Sequence, residues 1–138
     1  MSTDGTYKIL KDYEKKDERI TVFKQEKNLG VVSNFEFLLS KVQNKYYAFS
    51  DQDDIWNNDK LEKTISKLES ENADLVFTDL EVVDNNKNTI YKSYWELKEF
   101  KDKIIKYNSF EALYLNNYVT GCTISCKSRY YKKMFTTS

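Results

Sequence analysis

The sequence predicts an α/β fold, and three observations carry that prediction. Apolar residues alternate along the chain between short runs and helical stripes, as they do where strands and helices take turns in a sheet. The composition is that of a packed chain: 15 % aromatic, with eleven Tyr and eight Phe, no Pro and three Gly, unlike a linker or a disordered tail. At 138 residues there is room for one core, so residues 1–138 are read as one domain and no second one is expected.

Taken in order, Thr6 to Tyr13 reads as a short helix and "ITVF", residues 20–23, as a strand. "NLGVVSNF" turns the chain at Gly30. Phe35, Leu38, Leu39 and Val42 then recur at helical spacing, with Ser33 or Asn34 as the cap. Tyr46 to Phe49 is the next strand. Asn57 or Asn58 caps a helix whose stripe is Leu61, Ile65 and Leu68, and "ADLVFTDLEVVD", residues 73–84, supplies a further apolar strand. "DNNKN", 84–88, is a turn joining Leu80–Val83 to Ile90–Tyr94 as a hairpin. Ser109 caps a helix through Phe110, Leu113 and Tyr114. Gly121 to Cys126 forms the last strand, and Ser128 opens a short terminal helix.

Charge and cysteine content exclude several function classes. Lys+Arg and Asp+Glu are both 22 and cancel, so no broad attraction to nucleic acid or to a membrane surface follows, and no nucleic-acid partner is expected. No apolar run approaches the ~18 residues of a membrane span, and the N-terminus lacks a signal-peptide pattern, which makes the cytoplasm the expected compartment. The chain has two Cys and no His. Cys122 and Cys126 are therefore read as buried, reduced thiols and not as a zinc site or a disulfide, and nucleophile chemistry that depends on His is removed.

The informative stretch is "AFSDQDDIW", residues 48–56, where a strand runs into Asp51, Asp53 and Asp54. A bare D-x-D arises by chance in a chain this rich in Asp, so position carries the weight. The end of a buried strand is where open α/β sheets bind ligands, and extended chain there sends Asp51 and Asp53 toward the same side. Oxygen ligands with no His or Cys nearby suit Mg²⁺ or Mn²⁺ against a substrate's phosphates. A calcium hand starting at Asp51 fails, because Ile55 and Trp56 stand where oxygen and Gly are needed. A phosphatase-type nucleophile fits Asp51 and Asp53 but finds Ile55 in place of the Thr or Val it requires.

Five segments, "STDGT" (2–6), "ERITVFKQEKNLGVVSNFEFLL" (18–39), "YYAFSDQDDIWNNDKLEK" (46–63), "DLVFTDLEVVD" (74–84) and "VTGCT" (119–123), together resemble a bacterial family-2 glycosyltransferase. The subgroup is that of the rhamnosyltransferase-like enzymes of cell-surface polysaccharide synthesis. The resemblance implies a GT-A fold, a Rossmann-like mixed sheet flanked by helices, here incomplete and lacking its first two strands. It implies that Asp51 contacts the nucleoside side of the donor, that Asp53 with Asp51 holds the metal, and that Asp54 shapes the sugar pocket. Asp4 and Thr6 match the motif trailing the nucleotide-binding strand, so Asp4 joins the donor site. Asn28, Gly30 and Asn34 match a second donor-side segment. Trp56, Thr120 and Gly121 fall on the sugar and acceptor side.

Plainer roles stand beside these. Asp4 and Asn34 can be helix caps, Gly30 a turn with positive φ, Trp56 an apolar anchor, Lys60 a surface charge, Asp79 the solvated end of a strand and Cys122 packing. The family places its general base, usually an Asp near a His, beyond the "TGC" segment, so no base is expected in this chain. The implied activity is inverting, metal-dependent transfer of a sugar, rhamnose being the one suggested, from a nucleotide-diphosphate donor to a glycan or lipid-linked acceptor. This would occur in the cytoplasm or peripherally at the inner face of the membrane. Two alternatives remain: a catalytically inert remnant or interaction module, and a Mg²⁺-dependent phosphatase-like enzyme.

Overall fold

The computed structural model describes residues 4–100 and 118–129, and the chain divides into two compact units, residues 1–41 and 42–138. The predicted helix at Ser109 and nearly all of the terminal one lie outside the described residues.

The first unit holds two helices, α1 (Thr6–Lys16) and α2 (Gly30–Ser40). Asp4 Oδ1 accepts from Thr6 N at 3.1 Å and so satisfies one of the amides that α1 leaves without a helical partner. The strand expected at 20–23 does not form. A strand exists through its ladder, and in its place Val22 N donates to Glu14 Oε1 at 2.7 Å, a carboxylate on α1. The second helix starts earlier than expected. Gly30 opens it with φ +74°, a left-handed value glycine adopts without a Cβ clash, and its amide donates to Asn28 Oδ1 at 2.9 Å. Asn34 therefore sits inside α2 and is not its cap, and Val42 lies past its end. No residue of either helix is buried.

The second unit contains β1 (Tyr46–Ala48), α3 (Lys60–Ser70), β2 (Leu75–Val76), β3 (Val82–Val83), β4 (Thr89–Tyr91), α4 (Tyr94–Leu97) and β5 (Ser125–Lys127). The sheet order is β1-β5-β2, with β5 central and antiparallel to both neighbours. β3 and β4 make the expected hairpin. Asp84 closes it: its Oδ1 accepts from Asn86 N and Asn88 N at 2.8 Å each.

Three expectations shift. The long strand at 73–84 is broken into β2 and β3, because Asp79 accepts from Leu80 N, Trp95 N and the Ser93 hydroxyl and so ties the chain to the start of α4. The helix at 57–58 begins at Lys60, after Asp59, whose carboxylate pairs with Lys63 at 2.6 Å and does not cap. The last strand begins at Ser125, because Gly121–Thr123 is a 3₁₀ turn.

The core lies between α3 and β5. Leu68 is 0 % exposed, and Thr64, Ser125 and Cys126 are buried with it, Ser125 Oγ donating to Thr64 Oγ1 at 3.2 Å. Leu61, expected on the inner face, is 47 % exposed. Beside the sheet, Phe77, Trp95 and Tyr118 pack ring against ring, and Trp95 Nε1 donates to Tyr118 O at 3.1 Å. No helix among the described residues is long and apolar enough to cross a membrane.

Candidate active site

β1 and β5 pair with Ala48 opposite Ser125. Beyond that last pair β1 runs on into the acid loop, while the 3₁₀ turn leads into β5, so residues distant in sequence meet at the same end of the sheet. A turn at Gln52-Asp53 then brings Asp54 back toward Asp51, as the first and fourth residues of a turn approach one another. One ligand atom each from Asp51, Asp54 and Cys122 lie within 4.8 Å of one another.

The chain is thus not extended through the acids. Asp53 is on the turn, and the carboxylate beside Asp51 is that of Asp54. The shell is also not surrounded by oxygen alone, because the strand pairing delivers a sulfur.

The cluster borders a cleft of about 430 Å³ lined by Asp53, Asp54, Trp56, Lys60, Asp79 and Cys122, among others. Lys60 is not a free surface charge. Its ammonium donates to Cys122 O at 2.5 Å and stands 3.9 Å from the centre of the Trp56 ring. Burial holds its pKa below the ordinary lysine value. One first-turn residue of α3 thereby joins the acid loop to the 3₁₀ turn. Burial, then the hydrogen bond to Asp54 and the charge of Asp51, push the Cys122 thiol up to about 11. The thiol is therefore protonated near neutral pH. Trp56 Nε1 is buried with no hydrogen-bond partner among the described residues.

Thr120 and Gly121 build the turn that carries Cys122. Thr120 O accepts from Thr123 N at 2.9 Å and from Thr123 Oγ1 at 2.6 Å, and Gly121 O accepts from Ile124 N at 3.1 Å. Asp4 and Asn34 belong to the first unit. Asn34 lines a separate cleft of about 340 Å³ there, with Thr6, Phe23, Asn28 and Gly30, while Asp4 supports α1 and its carboxyl is held below the usual aspartate value by Thr6. Sequence reading passed over the roles of Lys60 and Cys122. The signal for Cys122 was available only through the pairing of β1 with β5, which brings the turn before β5 to the acid loop.

In donor chemistry, Asp51 and Asp54 suit a hard divalent cation and Cys122 a softer one. The described elements define the class: helices with antiparallel sheets and a carboxylate-bordered cleft at a strand end, consistent with part of an incomplete α/β GT-A-like fold.

The model of the family described as "Glycosyl transferase family 2" matches residues 1–135, and the chain belongs to that family. Among similar proteins, "Putative teichuronic acid biosynthesis glycosyltransferase TuaG" of Bacillus subtilis is 44 % identical over 77 residues, 56 % of this chain and 31 % of that protein. "Uncharacterized glycosyltransferase MJ1057" of Methanocaldococcus jannaschii is 31 % identical over 128 residues, 91 % of this chain and 42 % of that protein. The Escherichia coli protein WfgD, named a UDP-Glc:alpha-D-GlcNAc-diphosphoundecaprenol beta-1,3-glucosyltransferase, is 33 % identical over 86 residues, 62 % of this chain and 33 % of that protein. The chain spans less than half the length of these relatives. No solved structure matches it.

Proposed function

We propose that the protein transfers a sugar from a nucleotide-diphosphate donor to an acceptor hydroxyl on a cell-surface polysaccharide or its lipid-linked precursor. The observation that carries this reading is the cluster of Asp51 and Asp54 at the mouth of the cleft that Trp56 and Lys60 line. The names of TuaG and WfgD, a teichuronic acid enzyme and an undecaprenyl-diphosphate glucosyltransferase, support a polysaccharide-type acceptor. Family membership speaks against the phosphatase-like alternative.

Asp51 and Asp54 would hold Mg²⁺ or Mn²⁺, with Asp53 on the turn beside them. A bound ion of this kind neutralises charge building on a departing diphosphate. The chain's own residues do the rest of what is assigned here. Lys60 supplies a fixed positive charge in the cleft, and the Trp56 ring keeps that ammonium in place. Transfer proceeds with inversion in this reading, rhamnose is the sugar to try first, and a lipid-linked acceptor would bring the protein to the inner face of the membrane from the cytoplasm.

Calorimetric titration with Mn²⁺ and a nucleoside diphosphate tests the site. Asp51→Ala and Asp54→Ala should each weaken binding about tenfold or more. Wild-type affinity in both variants overturns the assignment. A panel of nucleotide-diphosphate sugars, offered with a lipid-linked oligosaccharide, tests the reaction; phosphoester release without glycan extension would favour hydrolysis.

A further inference from the structure

The cluster at the cleft mouth carries a sulfur atom, and sulfur changes which ions it favours. With metal–sulfur bonds near ~2.3 Å and metal–oxygen bonds of ~2.0–2.2 Å, donors on one tetrahedral ion stand roughly 3.5 Å apart. The ligand atoms of Asp51, Asp54 and Cys122 all lie within 4.8 Å of one another, so side-chain shifts on the order of 1 Å bring them onto a single ion. Cys122 is also placed by its backbone. It is 3 % exposed, sits in the turn that Thr120 and Gly121 close with Thr123 and Ile124, and receives the Lys60 ammonium on its own carbonyl. A buried side chain on so constrained a turn stays beside the carboxylates when an ion enters.

We propose, resting on the reading of this cluster as the transferase's metal site, that Cys122 is a sulfur ligand in it and sets ion preference, favouring Mn²⁺, Co²⁺, Zn²⁺ or Cd²⁺ over Mg²⁺. Thiolate selects softer ions, whereas Mg²⁺ demands an oxygen shell. On coordination the thiol proton passes to solvent and the sulfur binds the ion as thiolate beside the two carboxylates. No electrons are exchanged.

The experiment is a Co²⁺ titration of the full chain followed by absorption spectroscopy, alongside Mg²⁺ and Cd²⁺ affinities. A near-ultraviolet sulfur-to-cobalt charge-transfer band is expected in wild type and in Cys126→Ser, whose thiol lies on β5, and it should vanish in Cys122→Ser. Cys122→Ser should weaken Cd²⁺ binding about tenfold or more while leaving Mg²⁺ within about twofold. Circular dichroism confirms that the variant is folded, with Cys122→Ala as the second test of the band. Co²⁺ bound without the band, or a band that survives both Cys122 substitutions, overturns the sulfur ligand and leaves the carboxylate site standing. Failure of Co²⁺, Mn²⁺ and Mg²⁺ alike to bind removes the metal site and this inference together.

Discussion

The three helices α1, α2 and α3 are each eleven residues long, yet only α3 buries anything. Thr64 and Leu68 of α3 are covered in the core with β5, whereas Ile9, Tyr13, Val31 and Val32 on the first two helices stay more than half exposed. Segment 20–23 adds the matching contrast. It has the apolar β-branched residues of a strand but no ladder, while β5 is paired on both sides. An apolar pattern states which residues seek cover. Burial needs a second surface, and among the described residues a hydrogen-bonded sheet supplies one only in the C-terminal unit.

The sharpest test of this contrast is Leu68→Ala against Leu38→Ala. The first should cost about 2–5 kcal/mol in urea-induced unfolding, as a fully buried leucine does. The second, at a side chain 41 % exposed, should cost about 1 kcal/mol or less. Equal costs would show that α2 is as well covered as α3.

The two clefts can be separated next. Asp54→Ala should reduce Mn²⁺ affinity about 10- to 100-fold, and should do so more than Asp53→Ala because Asp54, not Asp53, stands beside Asp51. Asn34→Ala, in the other cleft, should leave binding of the ion alone unchanged. A larger loss at Asp53 would restore the extended reading of the acid loop.

Gly30→Ala should cost about 1–2 kcal/mol in thermal unfolding, since φ +74° is a left-handed conformation that a Cβ opposes.

The smallest effect is one of pH. The Lys11 side chain, then the Val22 amide, hold the Glu14 carboxyl below the ordinary glutamate value. Its contribution is therefore fully present above that ordinary value and is lost as pH falls through the lowered one. The protection of the Val22 amide against hydrogen exchange, relative to the intrinsic rate at each pH, should fall on acidification through that range. In Glu14→Gln this acid step should disappear.

Much of the molecule was legible from residues. The helices at Thr6, in the 30s and in the 60s, the strand at Tyr46, the hairpin around "DNNKN" and the acid string all stand where pattern put them, give or take a few residues. Errors gathered where a side chain competes with the backbone. Asp79 stops a strand by accepting from Leu80 N and from Trp95 N of α4, Asp59 pairs with Lys63 where a cap was expected near it, and Asn34 gives way to Gly30 at a helix start. Periodicity carries no information on such choices, because the competing partner lies outside the window being read.

The sequence by itself determined the acid string, its place after a strand and the family to which the chain belongs. These are local in the chain or follow from residue order. Tertiary structure decided the company those acids keep. A turn placed Asp54 beside Asp51, and the antiparallel pairing of β5 with β1 brought up the 3₁₀ turn that carries Cys122 and, through its carbonyl, Lys60. Strand register depends on pairing between distant segments, so a site's chemistry can change from oxygen to mixed oxygen and sulfur with no sign of it along the chain.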